Sequence, residues 1–141
     1  MTRVFADTFY WVALANPRDH WHEKAKAVRG ALATMKIVTT DEVLAEFVNW
    51  FHRRGRCWRV NAVRFARAIL SNRSVEVLHQ TRESFQSGLV FFESRPDKDY
   101  SLTDCVSMHT MRQQGLKDVL THDQHFLHEG FNLLLQDEPA V

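Results

Sequence analysis

The chain has 141 residues, 45% of them hydrophobic, with 18 Lys and Arg against 17 Asp and Glu. That length fits one globular domain able to bury about two thirds of its unfolded surface, and the formal net charge of +1 excludes a protein-wide field for polyanions, so only a local concentration of charge can guide nucleic acid. Two cysteines, Cys57 and Cys105, without CxxC spacing exclude a thiolate zinc motif and argue against a structural disulfide.

At the start, Val4, Phe5 and Ala6 run directly into Asp7, with no basic segment leading to an apolar one. The expectation is a cytoplasmic protein that is not exported. The longest apolar run, Phe9 to Ala15, is far short of the roughly 20 residues of a membrane span, so no membrane association is expected. With no repeat and no Pro/Gly/Ser-rich linker, residues 1–141 read as a single domain.

Arg3 to Ala6 reads as a short buried strand with Asp7 at its carboxyl end, followed by a helical run from Thr8 to Leu14 that Asn16-Pro17 breaks. His20 to Met35 is rich in helix formers, and Ala25, Val28, Leu32 and Met35 make one apolar stripe. Ile37-Val38 is a second strand. Thr39 and Glu42 match a capping box for a helix that carries Val43, Leu44, Phe47, Val48 and Phe51 on one face and ends at Gly55. Trp58 to Leu70 is a further helix whose apolar phase is open, with Val60, Val63, Phe65, Ala66 and Ile69 as candidates. Ser74 to His79 alternates as a strand does, and Thr81 with Ser84 opens a helix to about Glu93. A helix from Thr103 to Gln114, a strand from Asp118 to Leu120, a short helix from His122 to His128 and a strand from Asn132 to Leu135 complete the chain, with Gly115 and Gly130 closing the helices. Short apolar strands alternating with helices predict an α/β domain with a mostly parallel sheet covered on both faces, whose ligands collect at the carboxyl ends of the strands.

Four acids stand out against that frame. Asp7 follows the first strand and can serve as a helix N-cap. Glu46 flanks an apolar helix whose cap Glu42 already serves, and a boundary glutamate reaching solvent is its ordinary explanation. Asp104 forms an S-x-x-D box with Ser101, and Asp123 suits the positive end of the helix it precedes, with Thr121 and Gln124 supplying the cap. Each has a local explanation. Gathered in one cleft, however, four carboxylates repel strongly unless a cation holds them, and hard oxygen ligands suit Mg²⁺ or Mn²⁺.

The tracts V-F-A-D-T, T-T-D-E-V-L-A-E-F, D-Y-S-L-T-D-C-V-S-M and V-L-T-H-D-Q-H-F together resemble the PIN-domain ribonucleases, particularly the VapC-type toxins of type II toxin–antitoxin systems. S-L-T-D and T-x-D-x-x-F are the most specific of them. The resemblance implies a three-layer α/β/α fold with a central, mostly parallel sheet of about five short strands. It also implies hydrolysis of RNA phosphodiester bonds by water, with Asp7, Glu46, Asp104 and Asp123 binding Mg²⁺ or Mn²⁺ and Thr8 supplying a hydroxyl beside them. A cognate antitoxin and a homodimer are the implied protein partners. Two departures are visible: His125 stands where some relatives carry a further acid, and Phe9 replaces a small polar residue.

From Arg53 to Arg73 the chain has seven arginines and no acid. Arg53, Arg54, Arg56 and Arg59 are the candidate RNA contacts, with Trp58 as a stacking partner; a solvated helix face is the plain alternative. His122, His125 and His128 have helical metal-ligand spacing, although partly exposed histidines explain them more simply. A receiver domain is disfavoured because His79 and Gln80 follow the third strand, and a haloacid-type hydrolase because Phe9 breaks the D-x-D motif. The alternative function is a catalytically weak PIN-like RNA-binding or scaffold module outside a toxin–antitoxin pair.

Overall fold

The computed structural model describes residues 2–136. The described elements are β1 (Arg3–Ala6), α1 (Thr8–Ala15), α2 (His22–Ala31), β2 (Lys36–Thr40), α3 (Asp41–Trp50), α4 (Arg56–Ser71), β3 (Val75–Leu78), α5 (Arg82–Glu93), α6 (Leu102–Gln113), β4 (Asp118–Leu120), α7 (Gln124–His128) and β5 (Asn132–Leu133). The strands form one sheet in the order β3-β2-β1-β4-β5, and every pairing is parallel. Helices cover both faces, giving three layers.

β1 is the spine. Its Phe5 pairs with Val38 of β2 on one side and Val119 of β4 on the other, and Val4, Phe5 and Ala6 are fully buried. Burial on both faces is why these strands read as continuous apolar runs. Strand order reverses between β1 and β4, so a crevice opens beyond their carboxyl ends. Asp7 follows β1 there, and Thr121 to Asp123 follow β4.

Gly115 and Gly130 adopt positive φ just past α6 and α7, where a left-handed residue ends a helix without Cβ strain. Gly55 differs from expectation. α3 stops at Trp50, a turn intervenes, and Gly55 at φ 93° is the N-cap of α4. The expected Thr39–Glu42 capping box is also displaced. β2 pairs with β3 as far as Thr40–Leu78, which keeps Thr39 in the sheet, and Thr40 accepts the N–H of Val43 instead. The Thr39 hydroxyl donates to the Ala6 carbonyl at 2.9 Å and accepts from Trp11 at 3.3 Å, joining β2, β1 and α1. Glu42 therefore has no capping role, and burial raises the pKa of its carboxyl.

α2 is shorter than its stripe predicts: it ends at Ala31, and Leu32 and Met35 pack from the turn that follows. In α4 the inward phase is Trp58, Ala62, Phe65 and Ile69, leaving Val60 and Val63 outside. No helix among the described residues is long and apolar enough to cross a membrane.

Candidate metal centre

Asp7 occupies the N-cap position of α1, yet its side chain makes no capping hydrogen bond. It is 1% exposed; Oδ2 accepts the Thr121 hydroxyl at 2.9 Å, while Oδ1 is buried without a hydrogen-bond partner. Thr121, fully buried at the end of β4, also accepts the backbone N–H of Asp123 at 3.2 Å. One hydroxyl thus fixes two acids. Next to Asp7, Thr8 is buried with its own hydroxyl unpartnered.

Asp104 sits in the first turn of α6 as the second half of a reciprocal box: Ser101 accepts its N–H, and its Oδ2 accepts the N–H of Ser101, both at 3.0 Å. Asp123 is itself the N-cap of α7, accepting the N–H of His125 at 2.9 Å through Oδ1. This replaces the expected Thr121–Gln124 cap. The same turn swings the His125 ring inward, so that Nδ1 lies 3.3 Å from Asp123 Oδ1 and 3.6 Å from Asp104 Oδ2. One ligand atom each from Asp104, Asp123 and His125 falls within 4.8 Å of the others.

Glu46 projects from α3, half-buried, near enough for its charge to act on both Asp7 and Asp104. Burial, and then the charge of Asp104, push the Asp7 carboxyl from 3.8 to about 8. Burial raises Asp104 as well; the Ser101 N–H opposes this, and the charges of Asp123 and Glu46 add to it. Asp104, Asp123 and His125 therefore converge beyond the ends of β1 and β4, and Asp7 and Glu46 lie near enough for charge to couple them to Asp104. A divalent cation fits this donor set, because it would partner the orphaned Asp7 Oδ1 and relieve the mutual repulsion that holds the carboxyls up. Carboxylate oxygens outnumber the single imidazole among these groups, which suits a hard divalent cation.

The three histidines of the HxxHxxH pattern do not converge. His122 stacks on Trp21 with ring centroids 4.7 Å apart, His125 joins the acids and His128 is exposed. Of the arginines, Arg53 and Arg54 lie in the turn after α3, and Arg56 and Arg59 in the first turn of α4; all are exposed. Arg59 donates to the His52 carbonyl at 3.0 Å and Arg54 lies over the Phe51 ring. Trp58, expected as a stacking partner for RNA, instead stacks face to face on Phe51 at 4.5 Å.

A family model described as the PIN domain matches residues 4–131. The chain belongs to the PIN-domain family. It is 30% identical over 128 residues to the 23S rRNA-specific endonuclease VapC20 of Mycobacterium tuberculosis, a match covering 91% of this chain and 95% of the relative. The crystal structure of that protein, described as a sarcin-ricin loop cleaving toxin, superposes with a TM-score of 0.79 at 29% identity over the same shares of the two chains. VapBC2 from Rickettsia felis, solved bound to a DNA fragment from the promoter, superposes with a TM-score of 0.70 at 12% identity, covering 94% of this chain and 97% of that one, and shares the fold. In this PIN domain two residues beyond the four acids belong to the site, Thr121 through its bond to Asp7 and His125 beside Asp123 and Asp104. The first lies inside the T-x-D-x-x-F tract, and the second occupies the position where a further acid is expected.

Proposed function

We propose that this PIN domain is the endoribonuclease toxin of a toxin–antitoxin pair, acting in the cytoplasm on structured ribosomal RNA, with residues 1–141 as one nuclease unit. The carrying observation is the cluster of Asp104, Asp123 and His125 at the switch point of the sheet, with Asp7 and Glu46 coupled to Asp104 by charge. The similarity to an rRNA endonuclease over nearly the whole chain supports the substrate class.

Asp7, Glu46, Asp104 and Asp123 would hold Mg²⁺ or Mn²⁺, with His125 as a further nitrogen donor. When bound, the cation lowers the pKa of a coordinated water and offsets the charge that builds on the phosphate. The chain's own contribution is placement. Thr121 orients Asp7, the Ser101 box fixes Asp104, and the buried Thr8 hydroxyl is available to a phosphate oxygen or to water.

Arg53, Arg54, Arg56 and Arg59 guide the RNA backbone. Arg56 begins α4 in a first turn without any acid, where the helix dipole disfavours a cation, so helix stability does not account for it. A cognate antitoxin suits the surface groove of Val48, Val60 and Val63 bordered by Arg59, Arg64 and Arg67, which matches an amphipathic acidic segment. A second copy of the chain suits the exposed Leu89, Val90 and Phe92 of α5.

Purified protein incubated with structured RNAs should cleave them in Mg²⁺ or Mn²⁺ and not in EDTA, while Asp7→Asn and Asp104→Asn should be inactive. Metal-independent cleavage, or full activity in both variants, refutes the mechanism. Expression should arrest growth, and Asp7→Asn should relieve the arrest. Arg53→Glu with Arg56→Glu should weaken RNA binding and flatten its dependence on salt.

A further inference from the structure

Three of the four site acids have an aromatic ring close to them in the chain. Phe9 is two residues past Asp7, His122 immediately precedes Asp123, and Trp50 lies one helical turn past Glu46 on α3. The rings meet in space. Phe9 sits 4.5 Å from His122 and 5.7 Å from Trp50, the latter edge to face, and His122 stacks on Trp21 at an interplanar angle of 10°. Phe9, Trp21 and His122 are half-buried, whereas Trp50 is 40% exposed. The contrast with Trp58 is direct, since that indole is packed face to face on Phe51.

We propose that Trp50, backed by Phe9, His122 and Trp21, is a stacking wall for an unpaired nucleobase beside the scissile phosphate. It selects loops and extruded bases over continuous duplex. This rests on the ribonuclease reading above and adds a specificity-determining residue to it. An exposed indole on α3 loses little by staying in water, but a base laid on it gains a π-face one helical turn from Glu46 and next to the Phe9 ring that follows Asp7. The arginines continue from the same place: Arg53 and Arg54 follow Trp50 in the turn, so the backbone flanking a stacked base meets cationic side chains. Within a duplex both faces of every base are already stacked on neighbours, and the wall has nothing to take.

The test uses hairpin RNAs with a single 2-aminopurine at successive loop positions, and the same strands fully paired, bound in Mg²⁺ to the cleavage-deficient Asp7→Asn protein. Binding should quench the probe at one or two loop positions. Adding Trp50→Ala should abolish the quench and weaken hairpin binding by about 10-fold or more, the loss of one base–aromatic stack, with duplex binding unchanged. Trp50→Phe should retain both signals. Quenching and affinity unchanged in Trp50→Ala, or an equal loss for hairpin and duplex, overturns the wall. Cleavage by otherwise wild-type protein separates the two readings. If it cuts no RNA with either metal, the ribonuclease reading fails; if it cuts and Trp50→Ala keeps the same preference for hairpin over duplex, the wall alone fails.

Discussion

Replacing Thr121 by valine removes a single oxygen and keeps the shape of the side chain, so it tests whether the acids must be held by the protein before metal arrives. The Thr121 hydroxyl is fully buried, donates to Asp7 at 2.9 Å and accepts from the Asp123 N–H at 3.2 Å. Valine removes the side-chain hydrogen bond to Asp7 Oδ2, leaving the Thr8 backbone N–H as the polar contact that lowers its pKa, and it frees an N–H whose acceptor was that hydroxyl. A hydrogen bond to a charged group is worth about 1.5–3 kcal/mol. The loss falls on a carboxylate that is free to turn away from a cation. Removal of such supporting contacts costs about 10–100-fold in metal affinity or activity. Calorimetric Mn²⁺ titration without RNA should show the weaker affinity directly, and cleavage rates at increasing Mn²⁺ should approach wild type only at higher metal. Thr121→Ser, which keeps the hydroxyl, should recover most of the loss. Wild-type Mn²⁺ affinity in Thr121→Val, or equal defects in the valine and serine variants, would show that orientation by Thr121 is irrelevant.

Three further outcomes follow from the same contacts. Asp7 has a folded pKa of about 8 against an ordinary 3.8, so its protonated form favours folding, and that stability declines as pH rises from about 4 to about 8. In EDTA, the melting temperature should fall over this window, Asp7→Asn should flatten the fall, and Mn²⁺ should restore stability to the parent protein only. Gly88→Ala should destabilise despite alanine's better helix propensity, because the added Cβ would lie 2.5 Å from Val106 Cγ2 across the α5–α6 contact. Overpacking of this kind costs about 1–3 kcal/mol, readable as a lowered melting temperature, and Val106→Ala in the same chain should recover part of it. At Glu129, burial opposes ionisation, but hydrogen bonds from Arg95, Tyr100 and Arg112 prevail and hold the carboxyl at about 2. Its contribution is therefore complete above pH 4.5 and lost as pH falls towards 2, so Glu129→Gln should be less stable at pH 6 and show a shallower acid limb in thermal melts.

The parts of the fold legible in the sequence are those where one physical requirement dominates. β1 and β4 are buried on both faces and leave unbroken apolar runs. Helix ends after α6 and α7 require positive φ, and glycine supplies it. Where two requirements compete, local reading slips. Thr39 and Thr40 are both able to cap α3, and only the pairing with β3 decides that Thr39 stays in the sheet. The phase of α4 was open because Val60 and Val63 are as apolar as Ala62 and Phe65; which pair faces inward depends on α3, not on α4 itself. The acids were nameable from their order along the chain, but the inward turn of His125 and the bridge from Thr121 to Asp7 depend on how β4 meets β1, which no local pattern encodes.

Structural and functional explanations of the site acids turn out not to compete, because a carboxylate oxygen that accepts one hydrogen bond keeps another lone pair: His125 Nδ1 approaches the same Asp104 Oδ2 and Asp123 Oδ1 that make the caps. Asp104 uses Oδ2 to complete the box with Ser101, and Asp123 uses Oδ1 to cap α7. Each cap removes rotational freedom from its side chain, so the remaining lone pairs are aimed without further ordering cost when a cation binds. Asp7 is the exception. Its side chain declines the capping bond open to it at the start of α1, spends one oxygen on Thr121 and buries the other without a partner. An aspartate that served only to cap would have no reason to tolerate that burial, since a capping carboxylate at a helix start is ordinarily stabilised in its charged form. Among the four acids, Asp7 is thus the one that buries a carboxylate oxygen without a hydrogen-bond partner. It is also the one whose replacement by asparagine should raise the stability of the metal-free protein while abolishing its activity.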